Sequence, residues 1–213
     1  MSATGDNRSA NEVLNLLEKA KVLVFDFDGT LVDSNEIKRK AFEQCFADYP
    51  KYFGAIIEYC RGNNHTPRQI KFRHVFENIL QQPYTPEIEK EMLDRYASET
   101  TEPVMAAAEI PGATRFLQNV FLKKDIHLLS STPHPFLEII LEGRGLRKYF
   151  KRVQGAPVNK TDWLKEFEKE DVFIGDSKED CRSAKEAGIS FVAVGGELKG
   201  ETKYWIDNFE KFF

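Results

Sequence analysis

Two carboxylates stand two positions apart at Asp26 and Asp28, in the run Asp26-Phe27-Asp28-Gly29-Thr30, directly after the apolar stretch Val22-Leu23-Val24-Phe25. On a regular strand that spacing puts both side chains on one face, and Gly29 permits an irregular backbone immediately afterwards. A second polar group, Asp176, Ser177 and Asp180, follows the apolar run at 172–174, and Ser130 and Ser131 follow another at 126–129. Acids at the ends of apolar strands are costly to bury without a metal or a partner. Two adjacent carboxylates with a third from another strand suit a hard, oxygen-seeking dication such as Mg²⁺. Phosphate monoester cleavage is a reaction such a set can serve. Its uncatalysed rate is so low that enzymes reach accelerations of up to ~10²¹. A nucleophile, an acid for the leaving oxygen and a metal that offsets anionic repulsion all contribute there.

The elements that must position these groups follow from the apolar pattern. The runs at 22–25, 126–129, 172–174 and 191–194 are continuous, as strands covered on both faces require. Helical patterns separate the later ones, at about 112–122, 133–146, 160–168 and 178–187, and Val13, Leu16, Leu17 and Ala20 mark a short helix before the first strand. Strands alternating with helices predict an α/β fold, a Rossmann-like parallel sheet with right-handed crossovers. In such a sheet the polar residues after each strand converge at the carboxyl ends, near the point where strand order reverses. Residues 34–108 break the rhythm with helical patterns at 34–47, 50–60, 66–81 and 86–100. They predict an inserted all-helical cap, residues 34–108, in a core made of 1–33 and 109–213. The two connections should lie side by side and could act as a hinge. Phe42, Phe46, Phe72 and Phe76 fall at helical spacing as core, and the terminal KYWIDNFEKFF predicts a helix packing its aromatics onto the sheet.

Composition excludes some classes. A formal charge of -4 argues against a general nucleic-acid binder. No apolar run approaches the roughly 18–20 residues that span a bilayer, and residues 1–20 lack the order of a secretory signal. Cys45, Cys60 and Cys181 have no metal-ligand spacing and are odd in number, so they read as reduced thiols in a cytoplasmic protein. A monomer or homodimer is expected.

DFDGTLVDS (26–34), LLSST (128–132), NKTDWL (159–164) and VFIGDSKEDCRSAKEAG (172–188), in that order, resemble the four motifs of the haloacid dehalogenase-like (HAD) superfamily. The likeness runs from about 21 to 195 and is to the phosphatase branch with a helical cap, the group of phosphoglycolate phosphatase and β-phosphoglucomutase-like proteins. It implies that Asp26 attacks phosphorus to form an aspartyl-phosphate, and that Asp28 protonates the departing alcohol and then deprotonates water. It implies Mg²⁺ on Asp26, on the Asp28 backbone carbonyl and on Asp176, with Asp180 and Thr30 in support. Ser130, Ser131 and Lys160 would hold the phosphoryl oxygens; Lys151 and Lys165 are the other lysines nearby, and Ser131 and Thr132 could instead cap the following helix. An acid two residues after the nucleophile is what the dehalogenase branch lacks.

In the cap, residues 59–74 are polar and basic. Arg61, His65, Arg68, Lys71, Arg73 and His74 could meet an anionic substrate, with Arg68 and Lys71 favoured; a solvated basic face is the alternative. The expected partner is a small phosphorylated metabolite, a sugar phosphate or phosphorylated small acid. A phosphomutase of the β-phosphoglucomutase type would share all four motifs, and a catalytically idle HAD-fold binding module is a further alternative.

Overall fold

The computed structural model describes residues 3–63 and 66–212, with side chains from residue 10 onward. The chain separates into two units, residues 1–33 with 107–213, and residues 34–106. The second junction thus falls slightly before the 108/109 boundary expected from sequence.

The first unit is built on β1 (Val22–Phe25), whose Leu23, Val24 and Phe25 are fully buried. Strand alternation sends these residues to opposite faces. Val24 packs with Trp163 and Leu164 of α8 (Lys160–Leu164) and Ala184 of α9 (Lys178–Ala187). Phe25 instead meets Phe116 of α6 (Ala113–Val120) at 6.1 Å between ring centroids, and Phe209 at 6.3 Å. Helices on both faces are what an all-parallel sheet requires.

That sheet has six strands in the order β3-β2-β1-β4-β5-β6. β2 is Asp125–Pro133, β3 Arg152–Ala156, β4 Val172–Gly175, β5 Ser190–Val194 and β6 Trp205–Ile206, and every adjacent pair is parallel. Strand order reverses between β1 and β4, the doubly wound arrangement whose crevice receives ligands. α7 (His134–Gly143) packs on β2 and β3, and α1 (Ala3–Lys19) on β6. Asp171 ties the sheet's lower edge, its buried carboxylate accepting from the Val22 and Glu168 N–H groups at 3.0 Å each.

Two strands were not foreseen. β3 carries the sequence Arg-Val-Gln-Gly-Ala and pairs only with β2, so it lacks the continuous apolar run of a central strand. The C-terminal segment is not the expected helix. Ala193 and Gly195 donate to the carbonyls of Tyr204 and Ile206, so this stretch serves the open edge of β5. Its aromatics do pack on the sheet, with Phe209 at 5.2 Å and Phe212 at 6.1 Å from Phe116.

The second unit is helical: α2 (Asn35–Cys45), α3 (Phe53–Gly62), α4 (Arg68–His74) continuing into a π-helical turn at Val75–Ile79, and α5 (Pro86–Ala106). Its core is aromatic. Phe72 lies 5.3 Å from Phe42 and 5.8 Å from Phe46, and Tyr96 lies 4.8 Å from Phe42. α5 runs past the expected end and through Pro103, just after Thr100 and Thr101, whose hydroxyls donate to the Tyr96 and Ala97 carbonyls.

Lys71 is only 4% exposed in this unit, its ammonium 4.7 Å from the centre of the Phe42 ring. Burial pulls its pKa down to about 8, and the charges of Arg68 and Lys38 push the same way. An unfolded lysine titrates near 10.4, so between pH 8 and 10.4 the unfolded chain holds more protons, and stability rises with pH there. Lys71→Met should therefore stabilise the protein at pH 7, by about 3 kcal/mol at most. Denaturant titrations of both proteins should show that advantage fading between pH 8 and 10.4; an advantage constant with pH would contradict the burial penalty.

Candidate active site

The residues after β1 leave the strand in a tight turn. Asp26 N–H still donates to the Ile174 carbonyl at 2.8 Å, which pins the end of β1 beside β4. Gly29 takes φ 77°, and its N–H donates to the Val32 carbonyl at 2.8 Å, while Leu31 N–H donates back to Phe27. Val32 then bridges Glu109, so residues on either side of the helical insertion are joined within the first unit. Thr30 is fully buried in this turn, with no hydrogen-bond partner for its hydroxyl among the described residues.

Lys160 is the first residue of α8, set there by Asn159, whose side chain accepts from the Asp162 N–H. Its ammonium donates to Asp26 Oδ1 and to Asp180 Oδ1, each at 2.7 Å. Of the lysines weighed from sequence this is the one that reaches Asp26. Lys151 and Lys165 are exposed and pair with Asp125 and Asp162.

Asp180 is 1% exposed and belongs to a capping box at the start of α9. Its Oδ2 accepts from the Ser177 hydroxyl at 2.6 Å, and Ser177 Oγ accepts from the Asp180 N–H. Its two oxygens are thereby divided between the helix cap and Lys160. Gly175 makes room for this: a Cβ there would lie 2.8 Å from Asp180 Cβ and 2.9 Å from its Cγ.

Asp26, Asp176 and Asp180 each offer an oxygen, all within 4.8 Å of one another. Burial drives the Asp26 pKa well up; Lys160 opposes this, while Asp180, Asp176 and Asp28 add to it. For Lys160 burial disfavours the charge, but Asp180 and Asp26 outweigh it and the pKa rises. The three carboxylates offer hard oxygen donors of the kind that Mg²⁺ takes.

Asp28 has different neighbours. Its Oδ2 accepts from the Thr132 hydroxyl at 3.0 Å and from the Ser130 hydroxyl at 3.3 Å. Both lie on β2, where residues two apart share a face. Ser131 falls on the other face and is exposed. Thr132 does not stand at the helix start: β2 continues to Pro133, and α7 starts at His134 without a side-chain cap from that residue. The Thr132 contact was missed from sequence, although the period-two spacing from Ser130 was a usable signal.

In the second unit, Arg61 pairs with Glu43 at 3.1 Å, and Arg73 with Glu77 and Glu89 at 3.4 Å. His74 stacks on Tyr59 at 3.9 Å. Arg68 lies 4.5 Å from the Tyr96 ring, and Lys71 is buried over Phe42. His65 lies outside the described residues.

Gly175→Ala should force Asp180 away from Lys160 and lower stability by about 1–3 kcal/mol, the usual result of overpacking. Thermal melting measures it; an unchanged midpoint would show that α9 yields at no cost.

The chain is similar to known proteins over most of its length. The phosphoglycolate phosphatase of Pseudomonas fluorescens is 26% identical over 193 residues, covering 82% of this chain and 69% of that protein. Among solved structures, CbbY from Rhodobacter sphaeroides in complex with phosphate aligns with TM-score 0.71 at 19% identity, over 89% of this chain and 95% of that one. The HAD-hydrolase YfnB from Bacillus subtilis, bound to magnesium, aligns with TM-score 0.68 at 17% identity, over 91% and 96%. The haloacid dehalogenase-like hydrolase model matches residues 23–194, a span that holds every element around Asp26 from β1 through β5, and the chain belongs to that family.

Proposed function

We propose that this hydrolase is a Mg²⁺-dependent phosphatase that cleaves a small phosphomonoester, a phosphorylated small acid or sugar phosphate, through an aspartyl-phosphate on Asp26. The observation that carries the reading is the pair of unlike settings given to two neighbouring carboxylates. Asp26 is bonded to the Lys160 ammonium, and Asp28 to the hydroxyls of Ser130 and Thr132. A positive partner favours the ionised carboxylate a nucleophile needs, whereas neutral donors tolerate a protonated acid.

Asp26 attacks phosphorus as Asp28 passes its proton to the departing alkoxide, so the P–O bond to the alcohol breaks as the aspartyl-phosphate forms. Asp28, now ionised, takes a proton from water, whose oxygen attacks the same phosphorus. Phosphate leaves and the Asp26 carboxylate is restored. Lys160, with Ser130, holds the phosphoryl oxygens and carries one positive charge toward them. Mg²⁺ held by Asp26, Asp176 and the Asp28 carbonyl would supply further charge neutralisation. Asp180 keeps Lys160 in place, and the buried Thr30 supports the turn that carries Asp28. Two solved structures of like fold hold magnesium and phosphate, which favours a site for both here.

For the organic part of the substrate, the phosphoglycolate phosphatase likeness favours a short carboxylic acid. Arg68 and Lys71 are then the cationic groups of the helical unit to which its carboxylate is assigned. The protein would act in the cytoplasm, as a monomer or homodimer.

Release of inorganic phosphate from a panel of phosphorylated acids and sugars, phosphoglycolate included, tests this reading. Turnover should vanish in excess chelator and return with Mg²⁺, but poorly with Ca²⁺, which prefers more ligands at longer distances. Full activity in chelator would exclude the metal. Asp26→Asn should lower kcat by at least about 10³-fold; an unchanged rate would remove the nucleophile assignment. Transfer of phosphate between sugar positions with none released would make the protein a mutase.

A further inference from the structure

We propose that Thr132 is a positioning residue that aims the Asp28 carboxyl group at the leaving oxygen; this rests on the phosphatase reading of the same site. Thr132 is 4% exposed, and its hydroxyl donates to Asp28 Oδ2 at 3.0 Å, closer than the 3.3 Å of Ser130. The two hydroxyls have different duties. Ser130 is committed to the phosphoryl group, so during turnover its hydrogen bond is divided between phosphate and acid. Thr132 keeps its hold on Asp28 throughout. Its own N–H donates to Ser130 Oγ at 3.1 Å, so the same residue also orients the phosphate-binding hydroxyl.

The placement of Thr132 is fixed from both sides. A β-branched side chain has restricted χ1 freedom, so its hydroxyl is presented with little loss of entropy. Behind it, β3 approaches more closely than any side chain would allow. A Cβ on Gly155 would lie 2.6 Å from the Thr132 carbonyl oxygen and 2.6 Å from His134 Cα. Gly155 N–H also donates to His134 Nδ1 at 3.3 Å, and Ala156 pairs with Pro133 beyond a break in the β2–β3 register. The edge strand therefore buttresses the end of β2 at the residue that grips Asp28.

An acid that donates its proton in the transition state matters most when the leaving group is poor. The test is kcat/KM for a series of ring-substituted phenyl phosphates at saturating Mg²⁺, from 4-nitrophenyl phosphate to unsubstituted phenyl phosphate. This quantity reports the steps up to departure of the phenol and is blind to later hydrolysis of the phosphoenzyme. Thr132→Val should lower it about 10²-fold for phenyl phosphate and about tenfold less severely for 4-nitrophenyl phosphate, the range general-acid effects span. The dependence on leaving-group pKa thus steepens. Thr132→Ser should restore most of the loss. Thr132→Ala carries the same expectation should the valine variant fail to fold, which a melting curve reports. A uniform loss across the series, or none, would overturn the proposal, because a merely structural or phosphate-binding role ignores the leaving group. A native enzyme that releases phosphate neither from this series nor from the phosphorylated acids and sugars would remove the phosphatase reading itself, and this inference with it.

Discussion

The Lys160 ammonium, bonded to Asp26 and Asp180, is the interaction on which the rest of the site depends. A charge withdrawn from water is tolerated only with a close partner, and removing one member of a buried pair typically costs about 3–5 kcal/mol. Three elements must therefore arrive together. β1 delivers Asp26, the start of α8 delivers Lys160, and the capping box of α9 delivers Asp180. The last of these has a steric condition, since β4 must end in a glycine for Asp180 to come so close. A helix cap, ordinarily a local device for satisfying orphan N–H groups, here also fixes a charge on a neighbouring helix.

That one cation also separates two acids that differ little in sequence. Asp26 and Asp28 are two positions apart, and both follow the same strand. Burial acts first on Asp26 and raises its pKa, with Lys160 as the opposing influence. Positive charge is what favours its ionised form against burial, and a dication at Asp26 and Asp176 would add to the effect. Asp28 is turned instead toward two hydroxyls, which can serve either protonation state. The chain then leaves the strand in the turn that Gly29 makes at φ 77°.

Much of this was legible in the sequence, because the central strands are covered on both faces and must be apolar throughout. Leu23–Phe25 and Val172–Ile174 could be read directly, and the acids that end them stood out for the same reason. The edges were not legible. β3 contributes Gly155, whose use is to let another strand approach, and nothing in Arg-Val-Gln-Gly-Ala announces that contact. The C-terminal aromatics fall at helical spacing, yet the open edge of β5 offered backbone partners that a helix would have forgone. Tertiary pairing overrode local pattern there. The Thr132 contact was missed for a smaller reason: a helix was expected to begin at Pro133, which left its hydroxyl open between capping that helix and meeting substrate. The strand continues to Pro133, and the hydroxyl goes to Asp28.

The helical unit poses the same problem of buried charge with a different solution. Its basic stretch divides into two kinds of residue. Arg61 and Arg73 meet carboxylates at the surface, pairs of the kind that contribute little and are screened by salt. Arg68 and Lys71 lie instead against aromatic faces, and Lys71 is held there at a pKa near 8. Burying an ammonium in an aromatic core opposes folding at neutral pH, and a methionine would fill the space without that penalty.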